Sequence, residues 1–196
     1  MKKAIGILVV IVLLVVAGCV SAETAPAFAW NMSKVEVDRM LNTEGRVDEE
    51  TGRAIASSGS QLVVYENQPV SEFNSIMGAI FQYDQLVARF YYLGDYSAES
   101  TFRYLENALD KLYGSPNNSP EVLPDLLVKL LFVGSRDLSK AETYKAIDDL
   151  NTSYLTWKVS DDMSVTLLST NMDFGHNAII LFYGQPKTEE YNLSGL

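Results

Sequence analysis

One thiol, one imidazole and a few clustered carboxylates are the side chains here whose type and spacing suit chemistry. Of these, the thiol has the most informative neighbours. Cys19 is the only cysteine, and it closes Val16-Ala17-Gly18-Cys19 after an uncharged apolar run, residues 4–18, that itself follows Lys2 and Lys3. A basic start, a short apolar stretch and small residues at the cut are the parts of a secretory signal. A cysteine directly after Ala-Gly is where a bacterial lipoprotein is cleaved and acylated. The expected arrangement is a lipoprotein signal peptide over residues 1–18, then a lipidated Cys19 with a tether to residue 29. Two other readings remain open, a secretory cut after Val20-Ser21-Ala22 and an uncleaved anchor, since residues 4–22 only just reach the length of about 20 that spans a bilayer. All three place residues 30–196 outside the cytoplasm, because the paired lysines hold the N-terminus inside. An acylated Cys19 tethers the protein to the membrane of the cell envelope and leaves no thiol for a disulfide, although that compartment permits one.

The single histidine, His176, sits between a glycine turn and an apolar stretch. One histidine and a cysteine lost to lipid leave no imidazole or thiol metal site. His176 would have to be the base of any Ser-His-Asp triad. The Gly-x-Ser-x-Gly elbow that would present the serine is missing, since Ser57-Ser58-Gly59-Ser60 lacks that form. No phosphate-binding glycine loop occurs either. Asp48-Glu49-Glu50 lies in a polar loop and Asp161-Asp162 in a turn. A glycosidase would need two such acids across a cleft, and a calcium site would draw on Asp161, Asp162 and Asp173 without the spacing of an EF-hand. Tyr91, Tyr92, Tyr96 and Tyr104 offer an aromatic ligand surface, or ordinary core and cross-strand packing. The residues therefore point to no cofactor, no metal and no catalytic group.

Removing Lys2 and Lys3 with the signal leaves 13 basic against 25 acidic side chains, a net charge near −12. With no basic stripe to offset it, that charge excludes nucleic acid as a partner. The expected partners are the membrane, through lipid on Cys19, and another protein.

The elements that must position these residues follow from pattern. Ser33 and Glu36 form a capping box, and Val37, Met40 and Leu41 continue at helical spacing. Residues 42–60 read as a loop and 61–66 as a strand, ended by Pro69. Residues 73–83 and 86–93 read as strands joined at Asp84-Gln85. In the second, Leu86, Ala88, Phe90 and Tyr92 fall on one face and Val87, Arg89, Tyr91 and Leu93 on the other, both apolar enough to be covered. A helix opens at Ser97 with a stripe of Phe102, Leu105, Leu109 and Leu112 and stops at Gly114 and Pro116. Residues 121–150 form an insert, with a helical stretch at 139–150. Strands return at 154–159, 164–170 and 177–183. The expected fold is α+β: one domain over residues 30–185, an antiparallel sheet covered by helices, with tandem α-β-β-β units at 33–94 and 97–184 and a tail at 186–196.

Phe28-Ala29-Trp30-Asn31-Met32-Ser33, Gly78-Ala79-Ile80-Phe81-Gln82-Tyr83-Asp84-Gln85-Leu86, Leu109-Asp110-Lys111-Leu112-Tyr113-Gly114-Ser115-Pro116 and Thr156-Trp157-Lys158-Val159 together resemble a large group of uncharacterised bacterial lipoproteins. That group shows a Trp-Gly-Met-Ser helix start, a strand–Asp–Leu hairpin, a Lys-Tyr-Gly-x-Pro helix end and a late Trp strand. Asn31 stands here in place of the glycine and Leu112 at the lysine-side polar position. The resemblance covers most of residues 28–184 outside the insert. The layout is also similar to SmpA/OmlA-type envelope lipoproteins and to the secreted beta-lactamase inhibitor protein, a likeness of fold that carries no function by itself. What the resemblance implies is a binding protein without catalytic residues. The alternatives are a carboxylate-based hydrolase and a small-ligand or lipid-binding module.

Overall fold

The computed structural model describes residues 28–48, 60–94, 98–119, 122–131, 152–172 and 176–184, with single positions 51, 142, 145, 147 and 149. In chain order the elements are α1 (Lys34–Leu41), β1 (Arg46–Asp48), β2 (Ser60–Val70), β3 (Phe73–Gln82), β4 (Gln85–Leu93), α2 (Ala98–Tyr113), α3 (Asp125–Leu131), β5 (Ser153–Lys158), β6 (Ser164–Met172) and β7 (His176–Gly184). The strands form one antiparallel sheet in the order β1-β2-β3-β4-β7-β6-β5. Two meanders, β2-β3-β4 and β5-β6-β7, therefore meet through their last strands, and Phe90 lies directly opposite Phe182 at that junction. The fold is α+β.

The capping box is present. Ser33 Oγ accepts from the Glu36 amide and Glu36 Oε2 accepts from the Ser33 amide at 2.8 Å. These bonds hold the Glu36 carboxyl below its ordinary value. The helix closes on Asn42 in the left-handed region, φ 51°, which an asparagine tolerates. Between β3 and β4 the turn residues Tyr83 and Asp84 both have positive φ, 51° and 61°, as a two-residue type I′ turn requires. This turn aims the Asp84 carboxylate at the Lys34 amide, 3.2 Å away, so the hairpin satisfies an orphan donor of α1.

Four readings of the sequence need correction. Residues 42–60 contain β1, which pairs with Leu62–Val64 and makes one edge of the sheet. Pro69 does not end the second strand. It lies within β2 opposite Asn74, one pair in from the Val70–Phe73 pair that closes the hairpin. Ladder bonds alternate, so the missing N–H of Pro69 falls on the outer side, beyond the reach of β1. Leu86 lies on the other face from Ala88, Phe90 and Tyr92. The register shifts between Ile80–Ala88 and Phe81–Leu86, leaving Val87 as the extra residue of a bulge. One added residue inverts the alternation, so Leu86 packs with Tyr91 and Leu93 while Val87 joins Phe90 and Tyr92. Leu112 is exposed at 44%. At 3.6 residues per turn it drifts off the stripe of Phe102, Leu105 and Leu109, and Tyr113 continues that stripe instead.

Both faces of the sheet are covered. On one face Val37 of α1 and Leu105 and Leu109 of α2 pack over Val63, Tyr65, Met77, Tyr91, Trp157, Leu181 and Tyr183. On the other, Leu123, Leu127 of α3 and the helical Ile147 pack over Leu62, Ile80, Ala88, Leu168, Ile180 and Phe182. Pro124 directly precedes α3, and its carbonyl accepts from the Val128 amide. The described part of the insert is thus the lid on the second face.

Trp157 is 1% exposed and among the largest fully buried side chains. Trp157→Ala is expected to lower stability by about 3–5 kcal/mol. Denaturant melts check this, and an unchanged midpoint would show the ring to be dispensable to the core.

Candidate functional site

The polar groups that the fold draws inside are not those singled out in the sequence. They are gathered where helices cross the sheet. Asp38, on the last turn of α1, accepts from three donors: Tyr65 Oη at 2.8 Å, the Gly45 amide at 3.1 Å and Lys34 Nζ at 2.6 Å. Burial pushes this carboxyl up, but the bonds from Lys34, Tyr65 and Gly45 together outweigh it and hold Asp38 below its ordinary value. The same burial, followed by the bond to Asp38, raises the Tyr65 hydroxyl far above its ordinary value. Gly45 has to be small. A Cβ there would stand 2.3 Å from Val63 Cγ1 and 2.5 Å from the Tyr65 ring, both held in the core.

A second node is built alike. Trp157 Nε1 donates to Asp110 Oδ1 and to the Gly114 carbonyl, both at 3.0 Å. Asp110 lies on the last turn of α2, as Asp38 does on α1. The flanking residues also match in environment. Val37 and Leu109 are buried, Met40 and Leu112 are each 44% exposed, and Leu41 and Tyr113 pack at the margin of the same core. The signal in the sequence was the pair Asp38-Arg39-Met40-Leu41 and Asp110-Lys111-Leu112-Tyr113. It was legible as helix patterning but not as a recurring acceptor.

Arg89 of β4, 4% exposed, is the one buried charged residue among the described residues. Its guanidinium carbon lies 4.9 Å from the Phe28 ring centre and 4.5 Å from that of Tyr183. Tyr183 in turn meets Tyr91 edge-to-face at 6.1 Å.

The residues proposed from sequence do not converge. Cys19, Glu49, Glu50, Ser57, Ser58, Gly59, Tyr96 and Asp173 lie outside the described residues, as do the signal and the tail. Asp48 accepts from the amide and hydroxyl of Thr51, a local turn. Asp161 is fully exposed and paired with Lys158 at 2.8 Å, whose hydrogen bond and charge hold its carboxyl low. Asp162 accepts from the neighbouring Ser160 hydroxyl. His176 begins β7 opposite Met172, and its ring is outside the described side chains. Among the described residues no group of three or more His, Cys, Asp or Glu is placed to hold a metal. The tyrosines separate as well: Tyr91 is buried on one face, Tyr92 packs on the other, and Tyr104 stands over the β2–β3 hairpin against Phe73 and Ser71.

Comparison of the chain with protein-family models, with curated proteins and with solved structures finds no match. The likeness to envelope lipoproteins thus rests on the residue motifs alone.

The two shifts at the Asp38 node have opposite pH consequences. A carboxyl lowered in the fold contributes stability above its ordinary value of 3.8, and that stability is lost as pH falls through the folded value. A hydroxyl raised in the fold contributes stability below its ordinary value of 10.0, and that is lost as pH rises past it. Tyr65→Phe is expected to cost about 1.5–3 kcal/mol at neutral pH, the range for a hydrogen bond to a charged group. It should also flatten the decline of stability at both pH extremes. Urea melts from pH 3 to 11 (roughly the span of the two ordinary values) check this. A variant with wild-type stability across that range would show that the hydroxyl contributes nothing.

Proposed function

We propose that this is a lipoprotein of the bacterial cell envelope, acylated on Cys19, whose outer domain binds another protein and carries out no reaction. The observation that carries the reading is the placement of the single cysteine after Val-Ala-Gly at the end of a basic-then-apolar leader. Support for binding rather than catalysis comes from how the described acids are used. Asp38 and Asp110 receive buried donors, Asp48 caps a turn, and Asp161 and Asp162 bond to their own hairpin. Each of these five acids is bonded to donors of its own, whereas a two-carboxylate hydrolase needs a pair of acids flanking the bond to be cut. Both sheet faces are occupied by helices, so a partner would not dock on the sheet face itself. Helix surfaces and sheet edges remain for it. The β5 edge is partly spoken for, because Asn117 exchanges two backbone bonds of 2.8 Å with Thr156.

Cys19→Ser is expected to abolish incorporation of labelled palmitate and to move the protein from the membrane to the soluble fraction. Unchanged labelling and retention would sink the acylation reading. For the binding half, chemical cross-linking on intact cells followed by solubilisation should yield a defined adduct with the wild-type protein that an equally expressed, unrelated lipoprotein does not give. Failure to find one at saturating cross-linker would count against a protein partner.

A further inference from the structure

We infer that Arg89 is a latch for an N-terminal strap, residues 28–32, and that the strap lifts from β4 while the sheet stays folded. The strand registers relate the two meanders by a two-fold at the Phe90–Phe182 pair. Tyr65, Met77 and Tyr91 stand in one row across β2, β3 and β4, as Trp157, Val165 and Tyr183 do across β5, β6 and β7. The same relation reaches the sheet edges, where Arg46 pairs with Val64 and Asn117 with Thr156. It carries Arg89 onto Leu181: Arg89 stands opposite Tyr183, and Leu181 opposite Tyr91. The two positions are buried alike, at 4% and 3% exposed. A leucine thus fills this position of the sheet in one meander, and the charge in the other needs a separate cause.

The strap supplies that cause. It precedes α1 and has no counterpart before α2, because β4 ends at Leu93 and α2 begins at Ala98. The meander with the strap carries arginine, and the one without it carries leucine. Phe28 sets its ring on the guanidinium, 4.9 Å from ring centre to carbon, and Trp30 and Met32 follow it onto the same core at every second residue. Two backbone bonds tie the strap to β4. The Asn31 amide donates to the Leu86 carbonyl at 3.1 Å and the Leu86 amide to the Met32 carbonyl at 2.8 Å. Both lie beyond the Ala88–Gly184 pair at which β7 stops. A terminal segment held in this way opens more readily than β3 or β6, which are paired along both sides. Lifting it lengthens the free chain. Phe28 is nine residues after Cys19 and Ser33 is 14, so the span at full extension grows from about 30 Å to about 48 Å. That gain in reach from the membrane rests on the acylation of Cys19, and the latch does not.

Hydrogen–deuterium exchange on the full-length protein tests the latch. R89L copies the residue of the other meander, and F28A removes the ring. Each is expected to speed exchange of the Asn31 amide by about tenfold or more while the amides of β3 and β6 stay protected. The double variant should exchange no faster than either single one, because both changes remove the same contact. An unchanged Asn31 rate in either variant, or a faster double variant, overturns the latch. R89L protein that fails to fold, or that loses protection in β3 and β6 together with Asn31, also overturns it, since the charge would then belong to the sheet. Absence of lipid on Cys19 overturns the gain in reach and leaves the exchange result standing.

Discussion

Burying an aromatic ring that carries a polar tip obliges the fold to supply an acceptor, and two such rings organise this domain. Tyr65 and Trp157 are each 1% exposed, and each stands on the first long strand of a meander beneath a helix from earlier in the chain, α1 over Tyr65 and α2 over Trp157. An unsatisfied donor at either site would cost about 1–3 kcal/mol. The carboxylates of Asp38 and Asp110 remove that cost by receiving the tips. Because each acceptor lies on the last turn of its helix, the bond fixes more than a distance. It sets how far the helix has advanced over the sheet when it ends, and where the following chain departs. Gly45 and Gly114 then complete each node through their backbones.

The nodes also account for α1. Eight residues are too few for a helix to be stable alone in water. Ser33 caps it within the chain, Asp84 reaches its N-terminus from the β3–β4 turn, and Asp38 ties its end to β2. Helix, hairpin and strand thus stabilise one another, and none of the three contacts is local to α1 except the cap. This is why the Tyr83-Asp84 turn keeps two non-glycine residues at positive φ, a conformation that glycine adopts more cheaply. Asp84 is needed for its carboxylate as well as for its backbone.

What could be read from the sequence divides along the same line between local and non-local causes. The capping box, the helix end at Gly114, the β3–β4 hairpin and the three late strands were legible because each is encoded by neighbours. The α+β class followed from their order. The bulge at Val87 was not legible. It is imposed by the register with β3, and nothing in the residues 85–93 marks it. β1 was missed because three residues carry too little alternation, and its pairing partner lies in β2. Pro69 misled for a related reason: a proline is tolerated where its missing donor faces outward, which depends on where a neighbouring strand stops. The acids were legible as acids, but their uses were not. Asp161 and Asp162 stand side by side in sequence and bond locally within their hairpin, whereas Asp38 and Asp110 stand apart from any acidic cluster and hold the core together.

Arg89 carries this reasoning to the ends of the domain. A guanidinium taken out of water needs compensation, and here aromatic faces lie on it from two segments far apart in sequence: Phe28 from before α1 and Tyr183 from the last strand. A desolvated cation–π contact is worth about 2 kcal/mol, comparable to the roughly 1–2 kcal/mol of backbone entropy lost on fixing a single residue. The contact with Phe28 is supported by the backbone bonds of Asn31 and Met32 to Leu86, so the strap is held at two levels along β4. Tyr183 cannot be in place until β7 has paired with β4. Closure of the N-terminal strap is therefore coupled to completion of the sheet. The point at which the chain leaves the fold toward Cys19 is set by the same buried charge that receives the final strand.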